Sequence, residues 1–155
     1  MKQKLFLANT WVLAWILCVT AVTQLLDFEE FATIVQSYGI TSQSGSVALA
    51  VCIIGLEVFA LPYLLGLKLS RLASELSSLF VILAPLAWII LIGQELIGGD
   101  KKDISGLLGG YVNIPVGMAS FVIVAFIFAM SLWSLFKMRN PPKWLGFVRS
   151  EAGKK

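Results

Sequence analysis

Four long apolar blocks decide what this chain can fold into. Leu5 to Leu26 contains no charged residue, Val47 to Leu67 only Glu57, Leu76 to Ile97 only Glu95, and Ile114 to Phe136 none. Each block is 21 to 23 residues long. A helix rises about 1.5 Å per residue, so about 20 apolar residues cross a hydrocarbon core of about 30 Å. No block alternates apolar and polar residues over the length of a barrel strand. The expected fold is an all-α membrane protein: one domain, four transmembrane helices at residues 5–26, 47–67, 76–97 and 114–136, in an antiparallel bundle. Composition agrees. The chain is 58% apolar and 14% charged, against about 45–50% and about 25% in soluble domains.

The first block follows Lys2 and Lys4, as a signal peptide would, but its apolar stretch is long for a signal core. We expect it to remain as a span. Orientation follows from Lys and Arg. With both termini in the cytoplasm, every Lys and Arg except Lys101 and Lys102 lies on the cytoplasmic side. The expected location is the plasma membrane, multi-pass, with both ends inside. The net charge of +3 sits mostly in the tail, residues 137–155. Trp144 and Phe147 in that tail suit a membrane interface, so the expected partner is anionic lipid and not nucleic acid.

Between the first two blocks, Phe28, Phe31, Val35 and Tyr38 recur at helical spacing among Glu29, Glu30, Thr33, Gln36 and Ser37. Asp27 can cap the start and Gly39 can end the turn. This pattern predicts a short amphipathic helix over 28–38 on the outer surface. The brief link from Lys68 to Glu75 makes the second and third spans antiparallel neighbours. Residues 97–115 are Gly-rich and polar; Asp100 and Asp103 there do not have EF-hand spacing, so a plain outer loop is expected and no metal site. Pro62 and Pro85 each interrupt a span and free the carbonyls of Val58 and Val81. In lipid a freed carbonyl needs another partner.

Much chemistry is excluded. There is no histidine and no C-x-x-C, which removes the commonest metal ligand and the usual redox dithiol. No strand-borne glycine-rich nucleotide loop is expected in such a fold. Two features remain. Cys18 and Cys52 fall at similar depth on neighbouring spans, so they are either a membrane-embedded thiol pair or two small packing residues. Glu57 is an acid near mid-membrane, where insertion costs roughly 2.5–3.5 kcal/mol. Such a residue turns toward the bundle interior and has a partner or a task. A buried acid costs less when neutral, so a protonated, hydrogen-bonding Glu57 fits the position. Its alternative role is interhelical glue. Cys52 and Glu57 are five residues apart, about 140° around a helix, and so do not form one site. Cys52, Gly55, Phe59, Pro62 and Gly66 share a stripe that predicts close helix packing.

The segment TQLLDFEEFATIVQSYGI, residues 23–40, followed by LEVFALPYLLG, residues 56–66, resembles the DoxX/MauE superfamily of small four-helix membrane proteins. The pattern is carried here by Thr23, Gln24, Asp27, Phe31, Tyr38 and Glu57, and the resemblance covers residues 10–97. It implies association with redox systems, either quinone-linked oxidation or maturation of periplasmic enzymes and their disulfides. It also implies a soluble or membrane redox partner, with quinone as the candidate cofactor. The family often has Lys where this chain has Gln24, so a hydrogen bond between Gln24 and Glu57 would replace an ion pair. Depth along the helices, however, predicts that these two residues do not touch. Some MauE-like members carry cysteines between the third and fourth spans, where this chain has Gly98-Gly99-Asp100. The resulting expectation is an accessory or anchor subunit of an oxidoreductase, not a self-contained enzyme. Glu57, Gln24 and Asp27 would form its ligand site, and Cys18 and Cys52 are candidate redox thiols. The alternatives are a non-catalytic scaffold, or a small solute or proton carrier using Glu57.

Overall fold

A computed structural model describes residues 2–40, 42–98, 107–110 and 117–139. The basic tail beyond 139, Asp100, Asp103, Trp144 and Phe147 lie outside the described residues. The chain order is α1 (Lys2–Leu26), α2 (Phe28–Ser37), α3 (Gln43–Leu64), α4 (Arg71–Gly98), β1 (Leu107–Gly110) and α5 (Met118–Arg139). Four helices are long and apolar enough to cross a membrane: α1, α3, α4 and α5. The chain is a multi-pass helical membrane protein. Spans 2 and 3 begin earlier than the apolar blocks, because Gln43 and Ser44 in α3, and Arg71 and Glu75 in α4, extend each helix past its apolar run.

Each span buries one stripe. On α3 this is Ser46, Ala50, Ile53, Ile54, Glu57, Ala60 and Leu64, spaced three or four apart. On α4, Ser77, Val81, Ala84, Trp88, Leu91, Ile92 and Glu95 are buried in the same rhythm. α3 packs on α4 and α1, and α5 packs on α4 and α1, which closes the bundle. The opposite faces carry exposed large apolar side chains, as lipid-facing surfaces do.

α2 follows α1 after a single residue. The Asp27 amide still bonds back to Thr23, at 3.3 Å, and the Asp27 carbonyl accepts from Phe31, at 2.9 Å. Asp27 occupies the N-cap position, but its side chain makes no capping bond. The helix stops where Gly39 takes φ +70°, a left-handed conformation that a side chain resists. Phe31, Ala32, Ile34 and Val35 form its buried face, packed on α3 and β1. β1 falls within the segment expected to be a plain loop, and it lies along α1 and α2. Together α2 and β1 cover one end of the bundle, the capped end. The other end, where α3 turns into α4, is the base.

At the base, Pro62 does more than bend α3. The Ser77 hydroxyl of α4 accepts the Tyr63 amide at 3.1 Å and donates to the Phe59 carbonyl at 2.7 Å. Tyr63 N–H and Phe59 C=O are the groups an uninterrupted helix would pair with each other, so a side chain from α4 bridges the break. The partnership falls one residue beyond the Val58 carbonyl expected from the proline alone. Gly66, at φ +66°, then ends the helix.

The stripe of Cys52, Gly55, Phe59, Pro62 and Gly66 is not the close-packed seam of α3, although Phe59 meets Phe80 of α4 with ring centroids 6.0 Å apart. Cys52 and Phe59 are exposed, and a Cβ added at Gly55 would meet nothing within 4 Å. Close packing was expected from residue size alone. The bundle instead uses the stripe on the far side of α3, which contains Glu57.

Candidate functional site

The buried stripes of α1, α3 and α4 bring polar groups together at one level. Glu57 is 1% exposed, and three side chains lie within hydrogen-bond distance of its carboxyl. Trp88 Nε1 donates to Oε1 at 2.9 Å. Gln24 Nε2 approaches the same oxygen at 3.4 Å, a long contact. Thr20 Oγ1 lies 2.8 Å from Oε2. The Gln24 amide also reaches the carbonyl of Leu107 in β1, at 3.3 Å. Both neighbours of Gln24 Nε2 are acceptors, which fixes which end of the amide faces them. Gln24 Oε1 is buried and has no hydrogen-bond partner among the described residues.

The contact between Gln24 and Glu57 overturns the expectation from depth. That expectation aligned the helix ends, and they are not aligned. Glu57 lies about 21 Å along α3 from Gln43, whereas Thr20 lies only about 9 Å from the end of α1. α3 therefore overtops α1 by roughly 12 Å, and α2 and β1 fill the step. Side-chain direction helps as well. Cα–Cβ bonds tilt toward each helix's own N-terminus. In antiparallel α1 and α3, the Gln24 side chain leans toward the base and that of Glu57 toward the cap, so they converge.

Phe31 of α2 sits on Trp88, with ring centroids 6.1 Å apart at 47°. This contact and the Gln24–Leu107 bond tie the cap to the acid. A cavity of about 10 Å³ lies beside Thr20, Glu57, Pro85, Trp88 and Leu107. That is room for about one water molecule. Toward the base the chamber is closed by Leu13, Leu17, Val81, Ile127 and Met130 of a second apolar cluster.

The other expected site residues lie elsewhere. Asp27 does not line the cavity. It interacts with Glu30, whose carboxyl is held above its ordinary range, first by the shared side-chain hydrogen bond and then by Asp27's charge. Cys18 and Cys52 are free, exposed thiols, not a bridged pair. Cys18 immediately follows buried Leu17, and Cys52 immediately precedes buried Ile53, so each is turned off its helix's buried stripe. Near the cap, buried Tyr38 has its phenol pushed up, first by burial and then by the charge of Glu95. No group of three or more His, Cys, Asp or Glu that could hold a metal occurs among the described residues.

Three contributors were not anticipated: Thr20, Trp88 and the Leu107 carbonyl. Thr20 and Gln24 stand one turn apart in an apolar helix, a signal that was available in the sequence. Trp88 brings an indole N–H into its span, three residues after Pro85. Nothing local marks the Leu107 carbonyl. No protein-family model, curated protein or solved structure matches the chain.

Proposed function

We propose that the chain is a small integral membrane subunit of the DoxX/MauE kind that serves a redox system with a soluble or membrane partner. It sits in the plasma membrane with both termini cytoplasmic and with α2 and β1 outside; Lys68 and Arg71, at the base, fit that orientation. The observation that supports the reading is the contact of Gln24 Nε2 with Glu57 Oε1. These are the two positions that the resemblance pairs, with a neutral amide here in place of a cation. Glu57 is the residue through which a ligand or a proton would be held, and Gln24 joins it to the cap.

A quinone headgroup is far larger than the cavity beside Glu57. Quinone binding at this acid therefore requires α2 and β1 to move off Trp88 and Gln24. A scaffold reading has its own support: three side chains from two other helices already engage the carboxyl, as interhelical glue would have it. A carrier reading has less, because Leu13, Leu17, Ile127 and Met130 pack below Thr20 on the side of the base.

The test is quinone content and partner assembly in protein purified in mild detergent, for the native chain and for Glu57→Gln. Copurified quinone that is lost in the variant, with the fold retained, supports the redox subunit. Unchanged ligand content and unchanged assembly leave Glu57 as a structural residue.

A further inference from the structure

The hydrogen atoms around Glu57 turn on where the Thr20 hydroxyl donates. The Thr20 hydroxyl has one hydrogen and three oxygens within reach: Glu57 Oε2 at 2.8 Å, Leu17 O at 3.0 Å and Ile16 O at 3.1 Å. A helical threonine readily donates to the carbonyl three or four residues back. If Thr20 does so, its oxygen faces Oε2 as an acceptor, and the short contact needs a hydrogen from the glutamate. Oε1 cannot carry that hydrogen as well, because Trp88 and Gln24 already direct N–H groups at it. The proton therefore belongs on Oε2.

We propose that Glu57 is a proton-binding site. It is held as the neutral acid, donating from Oε2 to Thr20 Oγ1, while Thr20 donates to the Leu17 or Ile16 carbonyl. This inference is independent of the redox reading. The surroundings from each packed element agree. α1 presents Thr20 and Gln24, α4 presents Trp88, β1 presents the Leu107 carbonyl, and α5 presents Val124 and Ile127. Glu95 of α4, the other buried acid, lies seven residues beyond Trp88, about 10.5 Å along that helix toward the cap. Among the described residues no Lys or Arg pairs with Glu57; the ion pair present, Arg71 with Glu75, is at the base and exposed. An uncompensated carboxylate in such a setting is strongly disfavoured. A hard cation is no substitute, since it takes six or more oxygens, and two N–H groups already point at Oε1.

The proton has a spectroscopic signature. In infrared spectra of the full chain in lipid at neutral pH, native minus Glu57→Gln should show the carbonyl stretch of a protonated carboxyl. Thr20→Val removes the acceptor and should shift that band to higher frequency, and Thr20→Ser should restore it. A difference spectrum showing only carboxylate bands overturns the proposal. If Glu57→Gln does not fold, the threonine pair decides alone. A protonated-carboxyl band that moves in Thr20→Val and returns in Thr20→Ser supports the site, and one unmoved by either overturns it.

Discussion

The capped half and the base half of the bundle are held together by different means. Around Trp88, Glu57 and Gln24, one acid collects donors from two other helices, and β1 is tied in through Gln24. Toward the base, Leu13, Leu17, Val81, Ile127 and Met130 form an apolar cluster. Two polar contacts there are separate two-helix bridges. Asn9 Nδ2 donates to Ser134 Oγ at 2.8 Å, joining α1 to α5, and Ser77 joins α4 to α3. Water is absent from a hydrocarbon core, so a hub fails as a unit when its centre is removed, while independent bridges fail one at a time.

That contrast can be tested from its largest effect downward. Glu57→Leu leaves the buried N–H groups of Trp88 and Gln24 and the Thr20 hydroxyl without their shared partner and should cost about 3 kcal/mol of stability in detergent unfolding, at about 1–3 kcal/mol for each unsatisfied group less the gain from removing a buried acid. A cost below that of any base-half variant would erase the distinction. Leu13→Ala opens a cavity in the base cluster and should cost about 2 kcal/mol, at the low end for core leucines. Trp88→Phe keeps a ring against Phe31 but deletes the N–H to Oε1; a loss of about 1 kcal/mol is expected by thermal unfolding. Asn9→Ala removes a single bridge and should cost about 0.6 kcal/mol, the mean for interhelical hydrogen bonds in membranes. Combining Asn9→Ala with Ser77→Ala should be additive, whereas Trp88→Phe with Thr20→Val should not be.

The smallest expected effect concerns alkaline pH. The Tyr38 phenol is raised in the folded chain, by burial and by Glu95. Its contribution to stability is complete below the ordinary tyrosine value of about 10 and is lost as pH rises beyond it. Tyr38→Phe should flatten the alkaline fall in stability relative to the native chain. An unchanged profile would remove Tyr38 from the packing of the capped half.

The four spans were legible in the residues because a bilayer imposes their length, and interruptions as mild as Pro62 do not hide a run of that size. The surface helix was legible from Phe31 and Val35 and from the glycine that ends it. Glu57 was legible by its oddness. Its partners were not, for a geometric reason. Helical spacing reports which way a side chain points around an axis but not its height relative to a neighbouring helix. The step of roughly 12 Å between α3 and α1 decides that Thr20 and Gln24, not residues deeper in α1, meet the acid. That step depends on α2 and β1 filling the space above α1, and a short strand in a glycine-rich loop leaves little trace in sequence. The same blindness to facing misdirected the small-residue stripe at Cys52 and Gly55.

The serine wedged into the break in α3 also limits how the molecule can deform. Because one hydroxyl splices the backbone of the second span to the third beside their turn, those two spans should travel as a single hairpin. Any widening of the chamber would then come from the side of α1, α2 and β1, which leaves Trp88 and Glu57 as the fixed wall against which the rest swings.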